Sequence, residues 1–207
     1  MNADAKPALG LIAGKGVYPL ELARSARAQG VSRLFAVAFK GETDRHLDKL
    51  VDEMEWVHVG QLQALLDAFA SRGLTQAVMV GQITPTHLFR VRPDAAMFRL
   101  LGSLKVRNAE TIFGAVGAEL AKVGVELKPA SLFMESCMPG AGLIGRRAPT
   151  PEEQDDIALG LKVAKATSGL DIGQTVVIKQ GTVLAVEAFE GTDAAIRRAG
   201  ELGGEGG

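Results

Sequence analysis

The residues whose types and spacing could do chemistry are concentrated between positions 170 and 193, in LDIGQTVVIKQGTVLAVEAFEGTD. Two runs rich in Val, Ile, Leu and Thr, 174–178 and 182–189, are joined at Lys179-Gln180-Gly181, where glycine can take a positive φ. This pattern predicts a β-hairpin. Glu187 stands inside the second run, with Glu190 and Asp193 just beyond it. A carboxylate among apolar neighbours is costly to bury unless it is paired, hydrogen-bonded or metal-bound; strand alternation can equally turn it to solvent. Acids gathered at a strand end are candidate metal ligands or general bases. Gly191-Thr192-Asp193 also reads as a helix start, with Thr192 or Asp193 capping the run 194–202. Capping alone accounts for both residues, although a capped N-terminus is itself an anion site.

The rest of the chain must position those residues. Aromatic residues are few, 5% of 207, against 25 glycines, so packing has to rest on Ala, Leu, Val and Ile in a glycine-punctuated α/β chain. Lys and Arg (23) balance Asp and Glu (24), which gives no footprint for nucleic acid. Cys137 is the single cysteine, which excludes an internal disulfide and Cys-rich metal motifs and points to a reducing compartment. The N-terminal apolar run breaks at glycines too soon for a signal peptide, and no run approaches the ~20 apolar residues of a membrane span. A cytoplasmic protein is expected, or one peripheral on the cytoplasmic face of a membrane.

Strands are expected at 8–13, 33–39, 55–59 and 76–80, with helices from Pro19 to about Gln29 and over 61–71. Strands alternating with helices imply parallel βαβ units, a Rossmann-like half-sheet. The turn Gly14-Lys15-Gly16 after the first strand is the natural ligand loop, because backbone N–H groups at a glycine turn and a helix N-terminus can cradle phosphate. The same glycines also suit a tight turn with no ligand. Gly10, Gly14 and Gly16 fit neither G-x-G-x-x-G nor the ATP-type P-loop. The second strand ends in Phe39-Lys40-Gly41, where a nicotinamide site would want an acid for the ribose, which counts against a dehydrogenase. His58 reads as a hydrogen-bonded core residue and His46 as a surface one.

Beyond residue 83 the alternation changes. Residues 88–107 carry Arg90, Arg92, Arg99, Lys105 and Arg107 against the single acid Asp94, with Met97, Leu100, Leu101 and Leu104 at helical spacing. This is a basic amphipathic helix that can pack on the core, lie on an anionic bilayer or hold an acyl chain. Asn108 can cap a helix over 109–122, 124–147 reads mostly as loop, and Thr150-Pro151-Glu152-Glu153 opens a helix whose Asp155 and Asp156 complement its dipole. The expected organisation is a Rossmann-like domain over 1–83, a basic linker helix over 84–107 and a smaller α/β domain over 108–207.

The glycine turn in LGLIAGKGVYPLELARSARAQG, the segment GQITPTHLFRVRPD, the helix start RAPTPEEQDD, and LDIGQTVVI followed by VLAVEAFEGTD together resemble the UDP-2,3-diacylglucosamine pyrophosphatase family of lipid A biosynthesis, the LpxI type. The similarity runs over essentially the whole chain. It implies a Mg2+-dependent hydrolase with the active site in a cleft between a Rossmann-like and a second α/β domain, splitting UDP-2,3-diacylglucosamine into UMP and 2,3-diacylglucosamine 1-phosphate. On that reading Gly14, Lys15 and Gly16 hold the nucleotide or diphosphate, and Gln174, Gly191 and Thr192 contact substrate oxygens. Glu187, Glu190 and Asp193 act on the water, and Asp171 and Glu190 bind the metal. The inner-membrane surface and a second copy of the chain are the expected macromolecular partners. Members of the family usually continue past the EGTD helix to a further aspartate, so this chain reads as C-terminally truncated; a UDP-sugar or acyl-sugar binding module without turnover is the alternative.

Overall fold

The computed structural model describes residues 8–83, 93–106 and 109–204, with Ala109 and Glu110 described by their backbone alone. The break at 84–87, the basic residues Arg90, Arg92 and Arg107, and the Asn108 cap lie outside the described residues. The chain divides into two compact units, Met1–Pro139 and Gly140–Gly207.

Unit 1 is built on a parallel sheet in the order β3-β2-β1-β4-β5. Its strands are β1 (Ala8–Ala13), β2 (Arg33–Phe39), β3 (Glu53–Val57), β4 (Gln76–Val80) and β5 (Glu126–Lys128). The helices are α1 (Tyr18–Ala28), α2 (Leu62–Ala70), α3 (Ala95–Ser103) and α4 (Ala109–Lys122), with a short 3-10 turn at Arg45–Lys49. Both faces of β1 and β2 are covered, which is why ALGLIA and RLFAVAF read as unbroken apolar runs. Leu9, Leu11 and Leu34 pack towards Leu22 and Ala26 of α1. On the opposite face, Ile12, Phe35 and Val37 meet Leu65 and Phe69 of α2 and Leu120 of α4. The Phe69 ring lies over Gly10, where a Cβ would come within 2.1 Å of it, and meets Phe35 edge-on at 5.5 Å.

Three expectations move. β3 begins at Glu53 rather than 55, because its register on β2 runs from Phe35↔Glu53 to Phe39↔Val57 and Glu53 is held by Arg33 (3.1 Å) and Arg72 (3.0 Å). His58 consequently falls past the strand and is exposed. The sheet does not stop at residue 83: β5 joins β4 in parallel, so the first unit extends to Pro139 instead of ending before a linker. The described part of the expected basic helix is α3, capped by Asp94, with Leu100 buried and Met97, Leu101 and Leu104 packed on the core. Core packing therefore accounts for its apolar stripe.

Unit 2 contains α5 (Pro151–Gly169), the antiparallel hairpin β6 (Val176–Lys179) and β7 (Thr182–Val186), and α6 (Thr192–Gly203). Thr150 and Glu153 form a capping box at the start of α5. Gln180 (φ 49°) and Gly181 (φ 73°) make the two-residue turn, as the primed hairpin turns require. Asp156 is not simply a dipole complement: its carboxylate accepts from Gln180 N (2.8 Å) and Gly181 N (2.6 Å) and ties the turn to α5.

Phe69 is fully buried at the centre of the unit 1 core. Phe69→Ala should lower its stability by about 3–5 kcal/mol in urea unfolding; a loss under 1 kcal/mol would contradict the packing described.

Candidate functional site

The glycine turn is built by close backbone approach. β1 and β4 are parallel neighbours, and beyond their ends Gly14 N donates to Val80 O (2.8 Å), Lys15 N to Gln82 O (2.7 Å) and Gln82 N to Lys15 O (3.0 Å). A Cβ on Gly14 would lie 2.5 Å from Gln82 O, and one on Gly81 (φ 87°) 2.7 Å from Lys15 O. The two glycines thus permit the contact that joins the two strand ends. The expected phosphate cradle is correspondingly narrower: the N–H groups of Gly14 and Lys15 are taken, while those of Gly16 and Val17, just ahead of α1, have no acceptor among the described residues. The Lys15 side chain is exposed. The sequence marks Gly81-Gln82 as the point where the alternation changes but gives no sign that it pairs with the turn.

Under this join lies a cavity of about 350 Å³ at the C-terminal ends of the strands. Its walls are overwhelmingly apolar and include Phe39, Leu65, Met79, Met97, Ile112 and Val116, with Gly14 and Gly81 at one end. In open parallel sheets ligands bind outside the carboxyl ends of the strands, where the strand order reverses. Here that point falls between β1 and β4. Such a cavity suits a flexible hydrocarbon and offers little to a charged group.

In unit 2 the acids singled out in the sequence have distinct environments. Glu187 follows β7 and is partly buried; its carboxylate accepts from Thr175 N (3.0 Å), Gln174 N (3.3 Å) and the Thr192 hydroxyl (2.8 Å). Burial acts to raise its pKa, but these hydrogen bonds outweigh it and hold the carboxyl below the ordinary glutamate value. Gly173 is required beside it, since a Cβ there would sit 2.0 Å from Glu187 O. Glu190 pairs with Arg198 (3.0 Å) and accepts from Ala188 N (3.2 Å). The N-cap of α6 is Gly191 (φ 86°) rather than Thr192 or Asp193, and the Thr192 hydroxyl serves Glu187 instead. Asp193 is exposed in the first turn of α6, with no side-chain partner among the described residues. Asp171 sits in the left-handed region (φ 56°) just past α5, and the Gln174 side chain is exposed.

The structure therefore brings Gln174, Glu187 and Thr192 together through hydrogen bonds. It does not assemble a metal-ligand set from these acids. Glu187 accepts three hydrogen bonds from the protein, Glu190 is paired with Arg198, and among the described residues no group of three acids, histidines or cysteines is placed to hold an ion. Asp171 is exposed just past α5, and Glu190 is engaged by Arg198.

Comparison with known proteins bears on both units. The LpxI N-terminal domain model matches residues 8–137 and the LpxI C-terminal domain model matches 140–207. A curated relative from Caulobacter vibrioides, named UDP-2,3-diacylglucosamine pyrophosphatase LpxI, is 35% identical over 198 residues, covering 94% of this chain and 69% of its own length. The chain belongs to the LpxI family.

The LpxI domain division, 8–137 and 140–207, falls where the chain divides into its two compact units. A solved structure, the biotin carboxylase subunit of pyruvate carboxylase, superposes with a TM-score of 0.37 at 12% identity, over 94% of this chain and 33% of that one. Within the LpxI C-terminal domain, the segment that identified the family is held by Glu187. Because the folded pKa of Glu187 is lowered, its hydrogen bonds stabilise the fold above the ordinary glutamate range, and that contribution is lost as pH falls through it. Denaturant unfolding from pH 6 to pH 3 should show wild type losing more stability than Glu187→Gln; superimposable pH profiles would contradict the assignment.

Proposed function

We propose that this LpxI-family chain hydrolyses the pyrophosphate of UDP-2,3-diacylglucosamine, giving UMP and 2,3-diacylglucosamine 1-phosphate for lipid A biosynthesis. The observation that carries the reading is the apolar cavity at the strand ends beside the glycine turn, in a chain 35% identical to a relative named for a diacylated nucleotide sugar. One acyl chain of the substrate would enter between α3 and α4 above β4 and β5. The free N–H groups of Gly16 and Val17 at the start of α1 would face the polar end of the molecule, where a helix N-terminus favours phosphate.

In the reaction, water adds its oxygen to one phosphorus, the bridging P–O bond breaks, and the water proton passes to a base. Asp193 is the proposed base, since its carboxylate is exposed and engages no other side chain among the described residues. Glu187 would act by holding the Thr192 hydroxyl and so fixing the start of α6, whose first-turn backbone N–H groups orient phosphate oxygens. Dependence on Mg2+ is proposed from the substrate, because a diphosphate offers its own oxygen ligands to a hard cation. A diacylated substrate resides in a bilayer, so the enzyme would meet it at the cytoplasmic surface of the inner membrane. No helix among the described residues is long and apolar enough to cross one.

Incubating purified protein with UDP-2,3-diacylglucosamine and Mg2+ should release UMP, and EDTA should abolish the release. Substrate binding without UMP release would select a UDP-sugar binding module instead. Ile112→Trp, which narrows the cavity, should raise KM for the diacyl substrate roughly tenfold; an unchanged KM would remove the cavity from substrate binding.

A further inference from the structure

Unit 1 has a second concavity, about 740 Å³, beside the edge strand β3. Met54 and Trp56 form its floor: they are alternate residues of β3, and so lie on one face, the face Met54 shares with the core under α1. Lys40, Arg45 and Asp48 stand around it, all exposed, and the buried Glu42 also lines it. The side chains of Lys40 and Arg45 form no ion pair among the described residues. Two unpaired cations beside a half-buried indole make a platform for an aromatic ring joined to an anionic group.

The concavity is tied to the glycine turn. Ala13, Ala38 and Trp56 lie in one row across β1, β2 and β3, so Trp56 is two strand spacings, about 10 Å, from the end of β1. The Thr43 hydroxyl, between Lys40 and Arg45 in sequence, donates to Ala13 O and accepts from Phe39 N (2.8 Å), fixing the loop against the residue that precedes Gly14. A nucleoside 5′-phosphate spans that separation.

We propose that this concavity is the nucleotide subsite, in which the uracil ring stacks on Trp56, Lys40 and Arg45 meet the phosphate charge, and Asp48 accepts from a ribose hydroxyl or the base N–H. The proposal rests on the UDP-sugar reading above and names where its nucleotide half sits. Lys40 then explains the absence of an acid at the end of β2: the position serves an anion rather than a dinucleotide ribose.

Trp56 is the only tryptophan in the chain, so its fluorescence reports on this site alone. Titrating the full chain with UMP should give saturable quenching or enhancement, with weaker binding for uridine and for AMP. Trp56→Ala, followed by calorimetry, should weaken UMP about tenfold or more, with Trp56→Phe retaining most of the affinity. Lys40→Ala with Arg45→Ala should weaken UMP but leave uridine unchanged. Circular dichroism identifies any variant that fails to fold, in which case Trp56→Phe and the cation pair decide. A silent Trp56 signal on UMP binding, or UMP affinity unmoved by the cation pair, overturns the subsite. UMP binding at Trp56 in a protein that never releases UMP from the diacyl substrate would retain the subsite and sink the hydrolase reading; UMP release with no response at Trp56 would do the opposite.

Discussion

The close contact between Gly14-Lys15 and Gly81-Gln82 is the constraint on which unit 1 depends. Two backbones meet with no side chain between them, and a methyl group on either glycine would lie inside contact distance of the other strand's carbonyl. The contact draws together the C-terminal ends of β1 and β4, the point where strand order reverses, and it directs Gly14 and Gly81 into the end of the apolar cavity. It also takes up two N–H groups of the turn. A glycine loop that looked in sequence like a general phosphate cradle is therefore largely a structural join, with only its last residues facing outward.

Unit 2 repeats the theme with a carboxylate. Its buried residues, among those described, are the small side chains Ala185, Ala195 and Ala199, too little apolar surface to define the hairpin and α6 by packing alone. Polar ties supply the definition: Asp156 holds the turn, Glu187 joins residues 174 and 175 to Thr192, and Arg198 bridges Glu190 and the carbonyl of Val186. Acids that suggest metal chemistry by their clustering are in large part the fastenings of a small fold. Asp193, at the first turn of α6, is left to solvent.

Much of this was legible in the sequence where one physical rule dominated. β1, β2 and β4 are continuous apolar runs because both sheet faces are covered, and their limits follow from the pattern. The capping box at Thr150 and the turn at Gln180-Gly181 follow from local chemistry. β5 was not legible: Glu-Leu-Lys is three residues with two charges, and becomes a strand only because β4 offers an edge, with Glu126 N bonded to Thr75 O. The domain boundary moved with it. β3 shifted because Glu53 is held by two arginines from distant positions, which no local window contains. The environment of Glu187 depended on Gln174, Thr175 and Thr192 converging, a tertiary fact; the sequence could say only that a carboxylate there needed partners.

On the proposed function, the lipid part of the substrate enters the cavity of unit 1. Photolabelling the protein with a UDP-2,3-diacylglucosamine analogue carrying a diazirine near the end of one acyl chain, followed by peptide mapping, tests it directly. Adducts are expected on α3, on α4 near Ile112 and Val116, and on β5. Adducts confined to residues 140–204 would contradict it.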